Sequence, residues 1–302
     1  WVYHKMLSKE GVLTPRYGFV EVEVNGERKG LHAYEEHFSK QLIEYNHRRE
    51  GPILKFNENR LWKIRRNLSA FEDGIPIFDP ATIEAFKMQK TLKSSNLKKA
   101  FIAGQSLMYN FKFGLMSASQ VFDIKLMAKF IAIMDVNKAH HNFIWHNLRF
   151  YYNPIIQKLE PIGFDGFTSE GPSHWVTAPF LGYYKVYNSN YISNNSGYIQ
   201  NLFCDSVFVN EYIQNLFSFS DTTYIKDFFN DCADDINMFE AALKTDSNQY
   251  NYDRNFLYSN AEKIRNSLPE FLSKIRFKEI PSAPLGTNKT LAPTVKILEH
   301  PQ

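Results

Sequence analysis

The sequence predicts an α+β fold, and three observations lead to that prediction. Residues 19–24 (FVEVEV) alternate between apolar and charged side chains, as a β-strand with one buried face does. Residues 119–134 carry apolar side chains at the spacing of one helix face. Further helical patterns follow over 222–243 and 255–276. Strands are therefore expected early in the chain, and helices are expected to dominate its second half.

The composition is that of a folded globular chain. Of its 302 residues, 44% are hydrophobic and 22% are charged, which excludes the collagen-like, coiled-coil and disordered classes. No apolar stretch approaches the roughly 18–20 residues of a membrane span. The net charge of +3 comes from mixed signs, so we expect no nucleic acid partner. The aromatic content of 16% predicts a large aromatic core, with an aromatic platform for sugars or nucleic acids as the alternative.

The first 56 residues predict a hairpin, a helix and a further strand. Asn25-Gly26 directly after the first strand is a strong hairpin signal, because both residues tolerate the positive φ of a two-residue turn. The elements expected to follow are a return strand over 30–36, a helix over 37–50 that Gly51-Pro52 stops, and a strand over 52–56.

The middle of the chain predicts helices first and then a second hairpin. Residues 60–128 show no strand pattern, and Asp79-Pro80 has the composition of a helix start. Ser119 is the predicted N-cap of the helix over 119–134. Strands are predicted after this helix, over 148–152 and 158–164, with a turn that begins at Asn153-Pro154.

Side chains with oxygen atoms flank these two strands. Asp135 follows the long helix, Asn147 directly precedes the first strand, and Asp165 closes the second. Carboxylate and amide oxygens suit Mg²⁺, which takes few protein ligands and completes its shell with phosphate oxygens and water. Protein kinases place a catalytic Asp, a metal-binding Asn and a second metal-binding Asp in this order. The block from 119 to 166 therefore predicts phosphoryl-transfer chemistry.

Two segments of the chain resemble the CotH kinase family, the spore-coat protein H type of atypical protein kinase. YGFVEVEVNGERKGLHAYEEHF at 17–38 is similar to the family's hairpin motif. AKFIAIMD with HNLRFYYNPIIQKLEPIGFDG is similar to its Asp, Asn and Asp segment, and the two segments are specific in combination. The resemblance implies a protein-kinase-like, two-lobed fold that transfers a phosphoryl group from ATP, with Mg²⁺, to a protein Ser or Thr.

The resemblance assigns roles residue by residue in the second segment. Asp135 matches the catalytic-loop Asp, and Asn147 and Asp165 match the metal-binding Asn and Asp. The interval from Asp135 to Asn147 is 12 positions (147 minus 135), whereas typical protein kinases have five. Asn142 is therefore an alternative to Asn147 as the amide ligand.

In the first segment, the resemblance points to a carboxylate and a cation. Glu36 matches the family's Glu, with His32 in place of the usual Tyr, and Lys55 matches its strand Lys. A kinase needs a cation over the nucleotide phosphates and a carboxylate that holds it. Lys55 and Glu36 are therefore expected to form an ion pair in the cleft that contains Asp135. The next cations to consider are Arg16 and Lys29.

The predicted organisation has four parts. They are a partial N-terminal nucleotide-binding lobe over 1–62, a helical connecting region over 63–118, a C-terminal catalytic lobe over 119–278 and a proline-containing tail over 279–302. Because the chain begins at Trp1, we expect a fragment or a processed product, with any targeting signal upstream. The sequence does not identify the compartment, and the resemblance favours the cell envelope or the extracellular space.

Two other functions stay open at this point. Phosphorylation of a small molecule would use the same cleft with a different acceptor site, whereas a non-catalytic envelope or surface binding module would keep the fold as a scaffold. A zinc site on His140, His141 and His146 is the weaker interpretation, because their spacing is not that of a zinc-binding helix face. Pairing of Cys204 with Cys232 is not predictable from the sequence.

Overall fold

The computed structural model describes residues 1–67, 81–166, 201–246 and 250–274, and its architecture confirms the prediction of an α+β fold. The helices are α1 (Val2–Lys9), α2 (Lys40–Tyr45), α3 (Asn59–Asn67), α4 (Met88–Lys93), α5 (Ser95–Lys112), α6 (Ala118–Val121), α7 (Ile124–Asn137), α8 (Ser206–Phe219), α9 (Thr222–Asp231), α10 (Ala233–Asp246) and α11 (Asn255–Lys274). The strands are β1 (Tyr17–Val24), β2 (Glu27–Glu35), β3 (Ile53–Phe56), β4 (Ile83–Ala85), β5 (Arg149–Asn153) and β6 (Lys158–Pro161).

Strands β1 and β2 form an antiparallel two-stranded sheet, as the alternating pattern predicts. Asn25 and Gly26 connect them with φ values of 55° and 81°. Positive φ at both central residues gives a turn whose twist matches that of the flanking strands, and Asn and Gly adopt this conformation readily. The hairpin prediction is therefore confirmed, although β2 begins at Glu27 rather than at residue 30.

The second sheet is antiparallel throughout, with the strand order β4-β3-β5-β6. Strands β5 and β6 form the hairpin that was predicted over 148–152 and 158–164, and the prediction is confirmed. Strand β3, also predicted, pairs with β5 so that Lys55 lies opposite Arg149. A segment assigned to the N-terminal lobe therefore shares a sheet with the hairpin that carries the candidate metal site.

Strand β4 is one that the sequence does not predict. Ile83–Ala85 pairs with β3, and helix α4 begins only at Met88, after Lys87 with a left-handed φ of 55°. Three residues are too few to show an alternating pattern, so only the pairing with β3 reveals this strand. Asp79-Pro80, the predicted helix start, lies outside the described residues.

The helix predicted over 119–134 is interrupted, and the prediction of Ser119 as its N-cap is wrong. Phe122 has an extended backbone and bridges Leu159 of β6, and the backbone N–H of Asp123 donates to the carbonyl of Leu159 at 2.9 Å. The side chain of Asp123 then caps α7 by accepting a backbone N–H of its first turn. Pairing with the sheet therefore overrides the helical pattern at this point.

Helix α7 lies at the centre of the main hydrophobic core. Each residue from Phe130 to Val136 is at most 1% exposed, so this part of the helix is buried on all sides. The same core extends from Tyr3 of α1 to Leu268 of α11. The prediction of a large aromatic core is confirmed by the side chains of Phe56, Phe111, Phe122, Phe130, Phe150, Tyr151, Phe208, Tyr212 and Phe228, which are fully buried.

The C-terminal part of the described chain is helical. The pattern over 222–243 corresponds to two helices, α9 and α10, that meet at Cys232, whereas the helix predicted over 255–276 is confirmed as α11. Cys204 and Cys232 are not disulfide-bonded. The tail over 279–302 lies outside the described residues, and the four-part domain organisation stays a prediction. Within the described chain, no helix combines the length and the apolar character that crossing a membrane requires.

Candidate functional site

The β5–β6 hairpin brings Asn147 and Asp165 into contact. Asn147 lies two residues before β5, and Asp165 lies four residues after β6 (165 minus 161). The Nδ2 group of Asn147 donates to Oδ2 of Asp165 at 3.1 Å. The Asp165 side chain is 38% exposed, so its carboxylate is accessible from solvent. The hairpin therefore brings these two side chains together, and their role as metal ligands stays a prediction.

The backbone around Asp165 is held in an unusual conformation. Asp165 has a left-handed φ of 50°, which few residues other than glycine adopt. The preceding residue, Phe164, donates its backbone N–H to the side chain of Asn142 at 2.9 Å. The following residue must be small, because a Cβ atom at Gly166 would lie 2.2 Å from the ring of Tyr3. Strained backbone that the surrounding structure enforces is typical of functional sites.

His141 is the third side chain of this site, and the sequence singled it out only as a member of a histidine group. Its Nδ1 atom lies 3.0 Å from Oδ2 of Asp165 and 3.1 Å from Nδ2 of Asn147. Because the two N–H groups of Asn147 Nδ2 donate to the carbonyl of His141 and to Asp165, the consistent arrangement has Nδ1–H of His141 donating to Asp165. This hydrogen bond is the main cause that lowers the pKa of Asp165, and it favours the ionised carboxylate.

Asp135 occupies a buried position in the last turn of α7. The residue is 1% exposed, and its Oδ1 lies 2.7 Å from Nε2 of His140. Its Oδ2 accepts a hydrogen bond from the hydroxyl of Tyr212 in α8. Asn260 of α11 donates to the backbone carbonyls of Asp135 and Val136 at 2.7 and 2.8 Å. A catalytic-loop Asp of a kinase accepts the proton of the substrate hydroxyl directly. This role, which the resemblance implies for Asp135, does not fit the geometry, because the carboxylate is shielded and both oxygens have partners.

Asn142, the alternative amide ligand, has a structural role. It is fully buried, and its Oδ1 accepts hydrogen bonds from the hydroxyl of Tyr3 at 2.7 Å and from the backbone N–H of Phe164 at 2.9 Å. An oxygen that already accepts two hydrogen bonds has no lone pair left for a cation. Of the two amides, Asn147 is therefore the one that fits a metal site.

The structure gives no support to a zinc site. Among the described residues, no group of three or more His, Cys, Asp or Glu side chains is arranged to hold a metal ion. Instead, His140 contacts Asp135 and His141 contacts Asp165. An Asn–Asp pair suits a different type of site, in which Mg²⁺ takes most of its ligands from phosphate and water.

The predicted ion pair between Glu36 and Lys55 is not formed. Glu36 instead pairs with Arg16, with distances of 2.6 Å from Nη2 to Oε1 and 3.1 Å from Nε to Oε2. The backbone explains this choice, because the N–H of Glu36 also donates to the carbonyl of Arg16 at 2.9 Å. Lys29, the other cation that the sequence offered after Lys55, pairs instead with Glu27 at 2.7 Å.

Lys55 lies beside a cation that the sequence did not single out, Arg149. The two residues are opposite each other on β3 and β5, so their side chains project to the same face of the sheet. Both point toward Oε1 of Glu58, which is 4.0 Å from Lys55 Nζ and 3.8 Å from Arg149 Nη2. Burial lowers the pKa of Arg149 to about 10, so it remains charged at neutral pH. The available signal was an arginine within the predicted strand that directly follows Asn147.

Glu35, rather than Glu36, faces the site. Its side chain is 28% exposed, and its Oε1 lies 3.5 Å from Nε2 of His4. Burial is the main cause that raises the pKa of Glu35 to about 7, and the charge of Asp165 acts in the same direction. The candidate site therefore contains two neighbouring carboxylates in addition to Asn147 and His141.

Replacing Glu35 by Gln should stabilise the protein at alkaline pH more than at acidic pH. The pKa of Glu35 is raised from 4.5 to about 7 on folding, so its contribution to stability is complete below pH 4.5 and is lost as the pH rises through 7. This pKa shift corresponds to a change of roughly 3 kcal/mol at most in the free energy of unfolding. Thermal unfolding between about pH 4.5 and 8 measures the effect, with the exposed Glu27→Gln as control. A stability difference that is independent of pH would contradict this assignment.

Comparison with known proteins does not identify a family for this chain. No family model matches the sequence, and no curated protein matches it.

Proposed function

We propose that this protein transfers a phosphoryl group from ATP to a Ser or Thr hydroxyl of a protein substrate, with Mg²⁺ as the cofactor, in a protein-kinase-like, two-lobed fold of the CotH type. The observation that supports this proposal most directly is the Asn147–Asp165 contact at 3.1 Å. It joins an amide and an accessible carboxylate at one end of a β-hairpin. This is the ligand pair that phosphoryl transfer uses to hold metal-bound phosphates.

The atoms of this pair suit a hard cation. Asn147 directs its Nδ2 group to Asp165 and to the carbonyl of His141, while its Oδ1 accepts no hydrogen bond within the described part of the chain. Asp165 uses Oδ2 for Asn147 and His141, which leaves Oδ1 as a second hard oxygen. Bound Mg²⁺ would neutralise charge on the phosphates. Two protein oxygens are sufficient, because Mg²⁺ commonly takes only one or two carboxylates and keeps phosphate and water ligands.

In this proposal the Asp135–His140 pair acts as the general base that removes the proton of the acceptor hydroxyl. With Nε2–H of His140 donating to Asp135 at 2.7 Å, Nδ1 is the basic nitrogen of the ring. In this proposal His140 takes the proton while the hydroxyl oxygen bonds to the γ-phosphorus, and the bond to the leaving ADP oxygen breaks. Asp135 orients the ring, as the buried Asp of a Ser-His-Asp triad does.

Nucleotide binding tests the proposal. With Mg²⁺ present, ATP at about 100 times its dissociation constant should stabilise the protein by about 2.7 kcal/mol, and the same ATP concentration without Mg²⁺ should stabilise it less. Thermal unfolding with ATP, with and without Mg²⁺, measures this effect. Transfer of labelled phosphate to a Ser/Thr protein, compared with transfer to small hydroxyl compounds, then separates a protein kinase from a small-molecule kinase of the same fold.

The burial of Asp135 favours one competing function, a non-catalytic binding module. A carboxylate that is 1% exposed and hydrogen-bonded to Tyr212 and His140 can serve simply to fasten α7 to its neighbours. The nucleotide experiment distinguishes the two functions, because a scaffold needs no Mg²⁺-dependent affinity for ATP. Absence of any ATP-induced stabilisation would favour the binding module.

A further inference from the structure

Arg149 is a buried cation with incomplete hydrogen bonding. Its side chain is 7% exposed, and only Nη1 has hydrogen-bond acceptors in the described chain, the carbonyls of His146 and Leu148 at 2.6 and 3.0 Å. Nε has no partner among the described residues. Nη2 lies 3.8 Å from Oε1 of Glu58, which is too long for a hydrogen bond. A buried guanidinium that lacks such partners is costly, so the site suits an additional acceptor.

Aromatic rings hold this guanidinium in a fixed position. The rings of Phe38, Phe86 and Phe164 surround it, with centroids 5.6, 5.3 and 5.4 Å from Cζ of Arg149. Phe164 immediately precedes Asp165, so the same backbone segment carries one of these rings and the candidate metal ligand. A guanidinium that is already fixed loses little conformational entropy when it binds a ligand.

Lys55 adds a second cation on the same face of the sheet. It lies opposite Arg149 in the β3–β5 ladder, its side chain is 25% exposed, and Nζ is 4.0 Å from Oε1 of Glu58. Within the described part of the chain, neither cation makes an ion pair at hydrogen-bond distance. The charge of Asp165 also acts on Arg149, so this cation lies near the candidate metal ligand.

We propose that Arg149 and Lys55 form an anion site for the polyphosphate chain of the nucleotide, with Arg149 as the principal donor. This inference deepens the proposed function and rests on it for the identity of the ligand. The Nε and Nη2 groups of Arg149 supply charge-assisted hydrogen bonds to phosphate oxygens, and Lys55 supplies a second positive charge. Arg149 takes the phosphate-binding role that the sequence assigned to Lys55 with Glu36.

Binding of inorganic tripolyphosphate in the presence of EDTA tests the anion site without the metal. Calorimetry of the full chain should detect binding, and Arg149→Met should weaken it by about 10- to 100-fold, the value of one or two hydrogen bonds to a charged group. Lys55→Met, at a more exposed position, should weaken it by a smaller factor. Asp165→Asn should bind at least as tightly as the unaltered chain, because it removes a neighbouring negative charge.

Arg28→Met is the matched control, because Arg28 is an exposed arginine on β2 that pairs with Glu21. It changes the net charge by the same amount and should leave tripolyphosphate affinity unchanged. If Arg149→Met fails to fold, Lys55→Met and Arg149→Lys are measured instead. Arg149→Lys should retain part of the affinity for tripolyphosphate. The proposal is overturned if the unaltered chain does not bind tripolyphosphate, or if no variant at Arg149 or Lys55 lowers the affinity.

The outcome for this site is separable from that for the proposed function. Arg149-dependent binding of tripolyphosphate without Mg²⁺-dependent binding of ATP would support the anion site and contradict the phosphoryl-transfer proposal. Mg²⁺-dependent binding of ATP that is equal in the unaltered chain and in Arg149→Met would contradict the anion site alone.

Discussion

Asp165→Asn is expected to remove the Mg²⁺-dependent stabilisation of the protein by ATP. The substitution takes away the negative charge of the accessible carboxylate that contacts Asn147, and a neutral amide is a much weaker ligand for Mg²⁺. Folding should survive, because the side chain is 38% exposed and Asn tolerates the left-handed φ of 50° at this position. The affinity for ATP with Mg²⁺ should fall by about tenfold or more, which is about 1.4 kcal/mol or more.

Thermal unfolding with ATP measures this loss, with and without Mg²⁺. Asp231→Asn is the matched control, since Asp231 is an exposed aspartate that pairs with Lys9, and its ATP response should equal that of the unaltered protein. An Asp165→Asn protein that keeps the full Mg²⁺-dependent response would show that the metal is held elsewhere.

Asp135→Asn should leave ATP affinity nearly unchanged and lower phosphoryl transfer by about 10²–10⁴-fold, the usual contribution of a positioned acid–base group. The amide is nearly isosteric with the carboxylate, and it can donate to the hydroxyl oxygen of Tyr212 or to Nε2 of His140. If it donates to Nε2, the proton of His140 moves to Nδ1, so the ring presents no base to the substrate. Single-turnover transfer and ATP affinity, measured on the same protein, separate chemistry from binding.

Tyr212→Phe is the control for the buried environment of Asp135. It removes the hydroxyl that bonds to Oδ2 and leaves the contact between Oδ1 and His140 in place. It should cost about 1–3 kcal/mol of stability, the value of a buried hydrogen bond to a charged group, with a smaller effect on turnover. Equal turnover in Asp135→Asn and the unaltered protein would limit Asp135 to a structural role and would leave His140 or His141 as the proton acceptor.

The sequence predicts those elements whose determinants are local. The β1–β2 hairpin follows from Asn25-Gly26, whose positive φ values are intrinsic to these residue types. The contact between Asn147 and Asp165 follows from the β5–β6 hairpin, because both residues flank strands that a short turn joins. In both cases, residues close in the sequence determine the result.

The errors arise where distant parts of the chain decide the outcome. The break before α7 depends on the pairing of Phe122 with Leu159, which no helical pattern reveals. The sequence selected Glu36, whereas Glu35 faces the site. The two residues are neighbours at the end of a strand, and a shift of one residue in strand register would exchange the faces to which they point. The burial of Asp135 depends on α8 and α11, which supply Tyr212 and Asn260.

The β3–β5 ladder would limit how the proposed kinase admits and releases a nucleotide. Ile53, Leu54 and Lys55 pair with Tyr151, Phe150 and Arg149, so the strand that carries Lys55 is bonded to the strand that follows Asn147. Hinge opening between these strands would break ladder hydrogen bonds, in contrast to kinases whose lobes rotate apart. Under the proposed function, exchange of nucleotide would therefore proceed by movement of other segments around this sheet. The amide proton of Leu54 should accordingly exchange with solvent only on global unfolding. Its exchange should therefore slow by about 100-fold when ATP with Mg²⁺ is present at about 100 times its dissociation constant.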